Sequence, residues 1–188
     1  MRAGLLAAVL LTLQAVSASA AELRDVIVER NDDYYRLDSQ AWFATSREAL
    51  YAVLTNHDLF SQFTSAIIES RNVEPDEDGR PRFFSRMEGC VLLFCKSFVR
   101  YGHLVLHPLD EIVAVSHPED SDFRLSRETW RLVPEGDGTL LIYQFEMIPD
   151  FWVPPVIGPY LMKRALKTGG EKAINRIEAL ALGKRPPK

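Results

Sequence analysis

Along most of this chain apolar and polar residues alternate in short runs, and the period of the pattern changes twice. Asp25 to Arg30 alternates and stops at Asn31-Asp32-Asp33, a cluster of turn formers. Tyr34 to Ala44 reads as a long strand with Tyr35, Leu37, Ala41 and Phe43 on one face. Thr45-Ser46-Arg47-Glu48 then has the form of a capping box, in which Thr45 accepts from the amide of Glu48 and Glu48 reaches back. It opens a short helix through Leu54, with Leu50, Val53 and Leu54 on the apolar side. Asn56-His57-Asp58 breaks that helix and starts a second short one carrying Leu59, Phe60 and Phe63.

Strand-like alternation returns at Ile67 to Val73 and ends at Pro75-Asp76-Glu77-Asp78-Gly79. Arg82 to Met87, Phe98 to Leu106, Glu111 to Ser116, Phe123 to Val133 and Leu140 to Ile148 follow as strands. They are punctuated by His107-Pro108, His117-Pro118 and Glu135-Gly136-Asp137-Gly138, whose Asp137-Gly138 is a hairpin signal. Phe151-Trp152-Val153-Pro154-Pro155 leads stiffly into a last helix running from near Pro155 to Leu182. Its apolar stripe is Ile157, Leu161, Ile174, Ile177 and Ala181. Gly169-Gly170 in its middle weakens it by about 1 kcal/mol per glycine relative to alanine. The pattern predicts an α+β chain in which an antiparallel sheet of about six or seven strands curves around a long C-terminal helix, with two short helices after the first strand. The domain spans 21–182, and 183–188 is a basic tail.

The first twenty residues stand apart from this alternation. Arg2 supplies a positive start, Leu5 to Leu13 an apolar run, and Ala18-Ser19-Ala20 a small-residue cleavage site. We read 1–20 as a signal peptide removed after Ala20. The mature protein is then expected to be soluble outside the inner membrane, in the periplasm of a Gram-negative source. Thr12, Gln14, Ser17 and Ser19 dilute the run too much for a membrane anchor.

Export changes the reading of Cys90 and Cys95, the only two cysteines. In an oxidising compartment an even count at short spacing suggests a disulfide. A tight reversal at Gly89 would bring the pair within the roughly 4.4–6.8 Å between Cα atoms that a bridge needs. An extended strand through both would hold them about 16 Å apart as free thiols. A bridge closing so short a loop is worth about 2 kcal/mol in the chain-entropy model. The apolar tip between them, Val91-Leu92-Leu93-Phe94, is a candidate contact to a membrane or a partner.

Charge excludes one class of function. Lys and Arg total 22 against 26 Asp and Glu, a net charge of −4. A protein held to phosphates would carry the opposite balance, so nucleic acid is not an expected partner. Catalytic signatures are missing as well: there is no glycine-rich phosphate loop, no Gly-x-Ser-x-Gly elbow and no His-Glu-x-x-His. No metal or cofactor is called for. His107 and His117 precede prolines and read as turn residues, and His57 as a cap or a solvated side chain. His103 alternates with Tyr101 and Val105, as a sheet histidine with a cavity-facing alternative. Arg86, Glu88 and Arg100 read as an outward charged face with cross-strand pairs.

The order of elements, the Trp130-Arg131-Leu132 strand before the Asp137-Gly138 hairpin, the Leu140 to Phe145 strand and the Trp152 to Tyr160 helix lead-in together resemble the START/polyketide-cyclase superfamily. This is the SRPBCC or helix-grip fold, also seen in birch-pollen-allergen-like proteins. The likeness runs from about Asp25 to Leu182 and looks closest to the coenzyme-Q-binding, polyketide cyclase and lipid-transport branch. The signal peptide and the cysteine pair mark an exported subgroup. The resemblance implies a cavity between sheet and helix for a lipid-, quinone- or polyketide-like ligand. Its candidate lining is Phe60, Phe63, Trp130, Leu132, Leu141, Tyr143, Phe145, Met147, Trp152, Ile157 and Leu161. Two other readings compete with a binding protein. One is a cyclase or dehydrase using Arg86, Glu88, His103 and Glu146; the other is a protein-contact module built on Phe151 to Tyr160.

Overall fold

The computed structural model of the chain describes residues 21–91, 94–153 and 158–187. The expected signal peptide, Leu92, Leu93 and Ile157 lie outside the described residues, as do the side chains of Cys90, Val91, Phe94 and Leu161.

Eight strands form one antiparallel sheet, one or two more than the alternation predicts. The excess arises at the start, where the Asp25 to Arg30 run is a full strand. β1 (Glu22–Asn31) turns at Asp32-Asp33 and pairs with β2 (Tyr34–Phe43). α1 (Arg47–Leu54) and a 3-10 helix (His57–Gln62) follow. Then come β3 (Ile67–Val73), β4 (Arg82–Val91), β5 (Phe94–His107), β6 (Glu111–Ser116), β7 (Phe123–Glu135) and β8 (Gly138–Pro149). The chain closes with α2 (Gly158–Ala181). The spatial order β1-β2-β8-β7-β6-β5-β4-β3 makes β3 to β8 a simple meander. β2 docks on its last strand, and the two short helices carry the chain from β2 to the far edge. The pairing register shifts at Leu23/Asp25, Ile67/Glu69 and Phe123/Leu125, so the ladders are locally interrupted there.

Local chemistry explains the element ends, with two departures from expectation. The cap of α1 is Ser46, not Thr45: its hydroxyl accepts from the amide of Ala49 at 3.2 Å. Thr45 is instead buried, and its carbonyl accepts from the Thr139 hydroxyl. The β7–β8 turn is Gly136-Asp137, because Glu135 pairs directly with Gly138. Gly138 therefore belongs to the strand. A Cβ there would lie 2.2 Å from the Phe43 carbonyl, so its glycine serves close approach of β8 to β2.

The chain reverses between β4 and β5 after Val91, not at Gly89, which lies in β4 opposite Lys96. Cys90 on β4 stands directly opposite Cys95 on β5.

The inner face of the sheet holds Tyr35, Leu37, Ala41 and Phe43 from β2, as their alternation predicts, and all four are buried. Leu50 and Leu54 of α1, Phe60 and Phe63, and Ile174 and Ile177 of α2 close over this face. Full burial of each such side chain contributes about 1.5–3 kcal/mol. Among the described residues no helix is long and apolar enough to cross a membrane.

Candidate functional site

Strand parity sorts the interior. With Phe43 and Trp130 inside, the inward residues are Ser126, Glu128, Trp130 and Leu132 on β7 and Thr139, Leu141, Tyr143, Phe145 and Met147 on β8. On β6 they are Ile112, Ala114 and Ser116, and on β5 Arg100, Gly102 and Leu104. One end of this face is sealed: Phe60, Phe63, Leu132 and Leu141 sit in the main cluster, and Phe60 meets Trp130 edge-on at 5.9 Å. Along the same face Tyr143 packs against this cluster, and beyond it Phe145 and Met147 are half-buried although they lie in an interior strand of the sheet.

A polar trio stands at the boundary between the two zones. Arg100 is 4% exposed. Its Nη1 donates to Glu128 Oε2 at 2.5 Å, and its Nε points to the Ser116 hydroxyl at 3.4 Å. The guanidinium reaches across β6 because β6 offers only Ala114 and Ser116 beneath it. It lies over the rings of Phe145 and Phe83, at 5.0 and 5.5 Å to the centroids. The other Glu128 oxygen accepts from the Tyr143 hydroxyl at 2.6 Å. Burial and the Glu128 carboxylate push the Tyr143 phenol well above its ordinary range, so it stays a neutral donor. Arg100 Nη2 and the Ser126 hydroxyl are buried with no hydrogen-bond partner among the described residues.

His57 sits behind the trio. It is 1% exposed, so it is neither a cap nor solvated as its place in the helix break suggests. Its ring stacks on Phe60 at 4.1 Å and Phe83 at 4.6 Å. Desolvation and the nearby Arg100 charge lower its pKa to about 3, and it is neutral at physiological pH.

The cyclase candidates do not converge on this interior. Arg86 and Glu88 are exposed, with Arg86 3.4 Å from Glu69. Glu146 faces outward and accepts from the Tyr34 hydroxyl. His103 is also on the convex side, 2.9 Å from His117, ring nitrogen to ring nitrogen. His117 lies within 4.8 Å of the exposed Glu119 and Asp120 carboxylates. Trp152 is 79% exposed and lines a surface groove of about 230 Å³ with Tyr35, Arg124 and Phe151, outside the sealed core.

Arg100 and Glu128 are the interior residues that sequence reading missed. Arg100 was expected to face outward, because β5 carries apolar residues on both faces and alternation cannot rank them. Glu128 had a readable signal: it shares parity with Trp130 and Leu132, a lone charge on an apolar face.

No family model and no curated protein sequence matches the chain. Solved structures do. A START superfamily protein from Mycobacterium smegmatis superposes with a TM-score of 0.61 at 21% identity, over 77% of this chain and 98% of that one. A STAR-related lipid transfer protein from Xanthomonas axonopodis gives 0.56 at 14% identity, over 88% and 98%. The di-domain ARO/CYC protein of the steffimycin biosynthetic pathway gives 0.54 at 14% identity, over 80% of this chain and 51% of that one. At these identities the likeness concerns architecture, and on it the chain has the START-like helix-grip fold.

Proposed function

We propose that this protein is an exported carrier for a hydrophobic ligand with one polar end. The observation that carries the reading is the buried Arg100–Glu128–Tyr143 trio set beside the half-buried Phe145 and Met147 on the inner face of β8. Phe145 and Met147 offer an apolar wall, and Arg100 Nη2 and the Ser126 hydroxyl offer hydrogen-bonding capacity at its end. A lipid-, quinone- or polyketide-like molecule with a hydroxyl, carbonyl or carboxylate terminus fits that pairing. The solved structures titled as START and lipid-transfer proteins support the kind of ligand.

Native mass spectrometry of the mature protein, with solvent extraction of what it carries, tests this. One apolar molecule per chain is expected. A chain that is recovered empty, and takes up no lipid, quinone or aromatic polyketide offered, would overturn it. Arg100→Met should weaken uptake of a ligand with a polar terminus about 10-fold or more, the cost of one lost charged hydrogen bond.

Export and a Cys90–Cys95 disulfide belong to the same reading. Residues directly opposite in antiparallel strands lie roughly 4.5–5.5 Å apart, inside the range a bridge needs. The register supports the pairing. Thiol labelling of the unfolded, unreduced mature protein should find no free thiol. The tip Val91-Leu92-Leu93-Phe94 is read as a membrane contact made during loading, and Leu93→Glu should slow transfer from vesicles without lowering the amount finally bound.

A further inference from the structure

The amide nitrogen of Ala21 donates to Oε2 of Glu178 at 2.9 Å, across 157 residues of chain. Ala21 is also the residue that follows the small-residue cleavage site Ala18-Ser19-Ala20. We propose that Glu178 is a receptor for the α-ammonium group created when the leader is cut after Ala20, so that processing itself locks the C-terminal helix onto the sheet. The proposal rests on the export reading and goes beyond the ligand reading.

The electrostatics of Glu178 carry the argument. It is 8% exposed, on the inward face of α2 beside Ile174 and Ile177. Its other oxygen accepts from the amide of Ala44 at 2.7 Å, just past the end of β2. One carboxylate thus ties together the start of β1, the end of β2 and α2. Both donors are neutral amides while the leader is attached. Among the described residues Glu178 makes no ion pair. The arginines on neighbouring elements are engaged elsewhere: Arg24 with Glu135, Arg47 with Asp110, and Arg176 with the carbonyls of Pro187 and Phe63. A buried carboxylate without a cation is costly. Cleavage between Ala20 and Ala21 turns the amide at 2.9 Å into an ammonium, and the contact becomes a charge-assisted hydrogen bond. The peptide bond is hydrolysed by the processing peptidase; water supplies the hydroxyl to Ala20, and the new amine takes up a proton. Nearby, Leu23 packs against the helix at Gly170, where a Cβ would approach Leu23 Cδ2 to 3.1 Å, so the strand start is already seated.

Two measurements test this apart from any ligand. The first compares three full-length mature proteins: one beginning at Ala21, one beginning at Ala21 with its α-amine acetylated, and one extended by Gly-Ser-Gly-Ser. The first should melt about 5 °C or more above the other two. Equal melting temperatures would overturn the proposal. In Glu178→Gln the gap between free and acetylated ends should collapse, a coupling that a merely structural glutamate would not show; a gap that persists also overturns it. If Glu178→Gln does not fold, the comparison of the three ends decides alone. The second is amino-terminal sequencing of the protein exported with its own leader. A start at Ala21 is expected, and any other start overturns the link to processing. Neither readout depends on what the interior binds, so failure of the ligand reading leaves both intact.

Discussion

Arg100 and Glu128 bury opposite charges next to aromatic rings, and a pair of this kind is more fragile than it is stabilising. Removing one partner leaves the other charged, buried and unsatisfied, which costs about 3–5 kcal/mol. We therefore expect Arg100→Met alone to lower the urea unfolding free energy by about that amount, and Arg100→Met with Glu128→Leu to recover most of it. A double variant as unstable as the single one would show that the pair holds the fold up rather than serving the interior. His57 makes a second residue-scale expectation. Its folded pKa of about 3 lies below the 6.5 of the unfolded chain, so the unfolded state binds a proton that the folded state refuses. Its stabilising effect is present in full above pH 6.5 and is lost as the pH falls from there toward 3. The slope is about 1.4 kcal/mol per pH unit while His57 dominates. His57→Phe should flatten that part of the stability profile.

At the scale of elements, two positions separate neighbouring residues that sequence alone treats as equivalent. Ser46 caps α1 and Thr45 does not, so Ser46→Ala should cost about 1 kcal/mol in thermal unfolding. Thr45→Ser, which keeps the carbonyl that accepts from Thr139, should do less harm than Ser46→Ala. At the β7–β8 hairpin, Gly138→Ala drives a methyl into the Phe43 carbonyl and the Trp42 ring, both under 3.0 Å from the added carbon. Such overpacking costs about 1–3 kcal/mol or more. Gly136→Asn, at the turn beside it, is expected to be tolerated, since asparagine accepts positive φ and nothing lies within 4 Å. Equally mild effects of the two changes would count against a close approach of β8 to β2.

Across the whole molecule the described side chains of the concave face differ in burial from one end to the other. One end is packed by Leu50, Leu54, Phe60, Ile174 and Ile177, and toward the other Phe145 and Met147 are half-buried. The proposed carrier role calls for such a packed core with less buried apolar side chains on the same face. Its edges are protected by chemistry already visible in the chain. β1 and β3 form the two borders of the sheet and carry Glu22, Arg24, Asp25 and Glu29, and Glu69 and Arg71, which disfavour pairing with another sheet.

Sequence alone determined the class of fold, the order and approximate bounds of the helices and strands, and the inward faces of β2, β7 and β8. It did so because Tyr35-Leu37, Trp130-Leu132 and Leu141-Tyr143 set an apolar face against a polar one, and period two then leaves a single sensible orientation. It did not determine which face of β5 looks inward. Leu104 and Leu106 compete there with Tyr101 and Val105, and only register against β4 and β6 places Arg100 inside and His103 outside. Nor could it bury His57, whose surroundings come from Phe83, on a strand it meets only after folding. The meetings of Arg100 with Glu128 and of Ala21 with Glu178 were likewise decided by tertiary structure. Their partners are 28 and 157 residues apart in sequence, and only sheet register and helix docking bring such groups within hydrogen-bond reach.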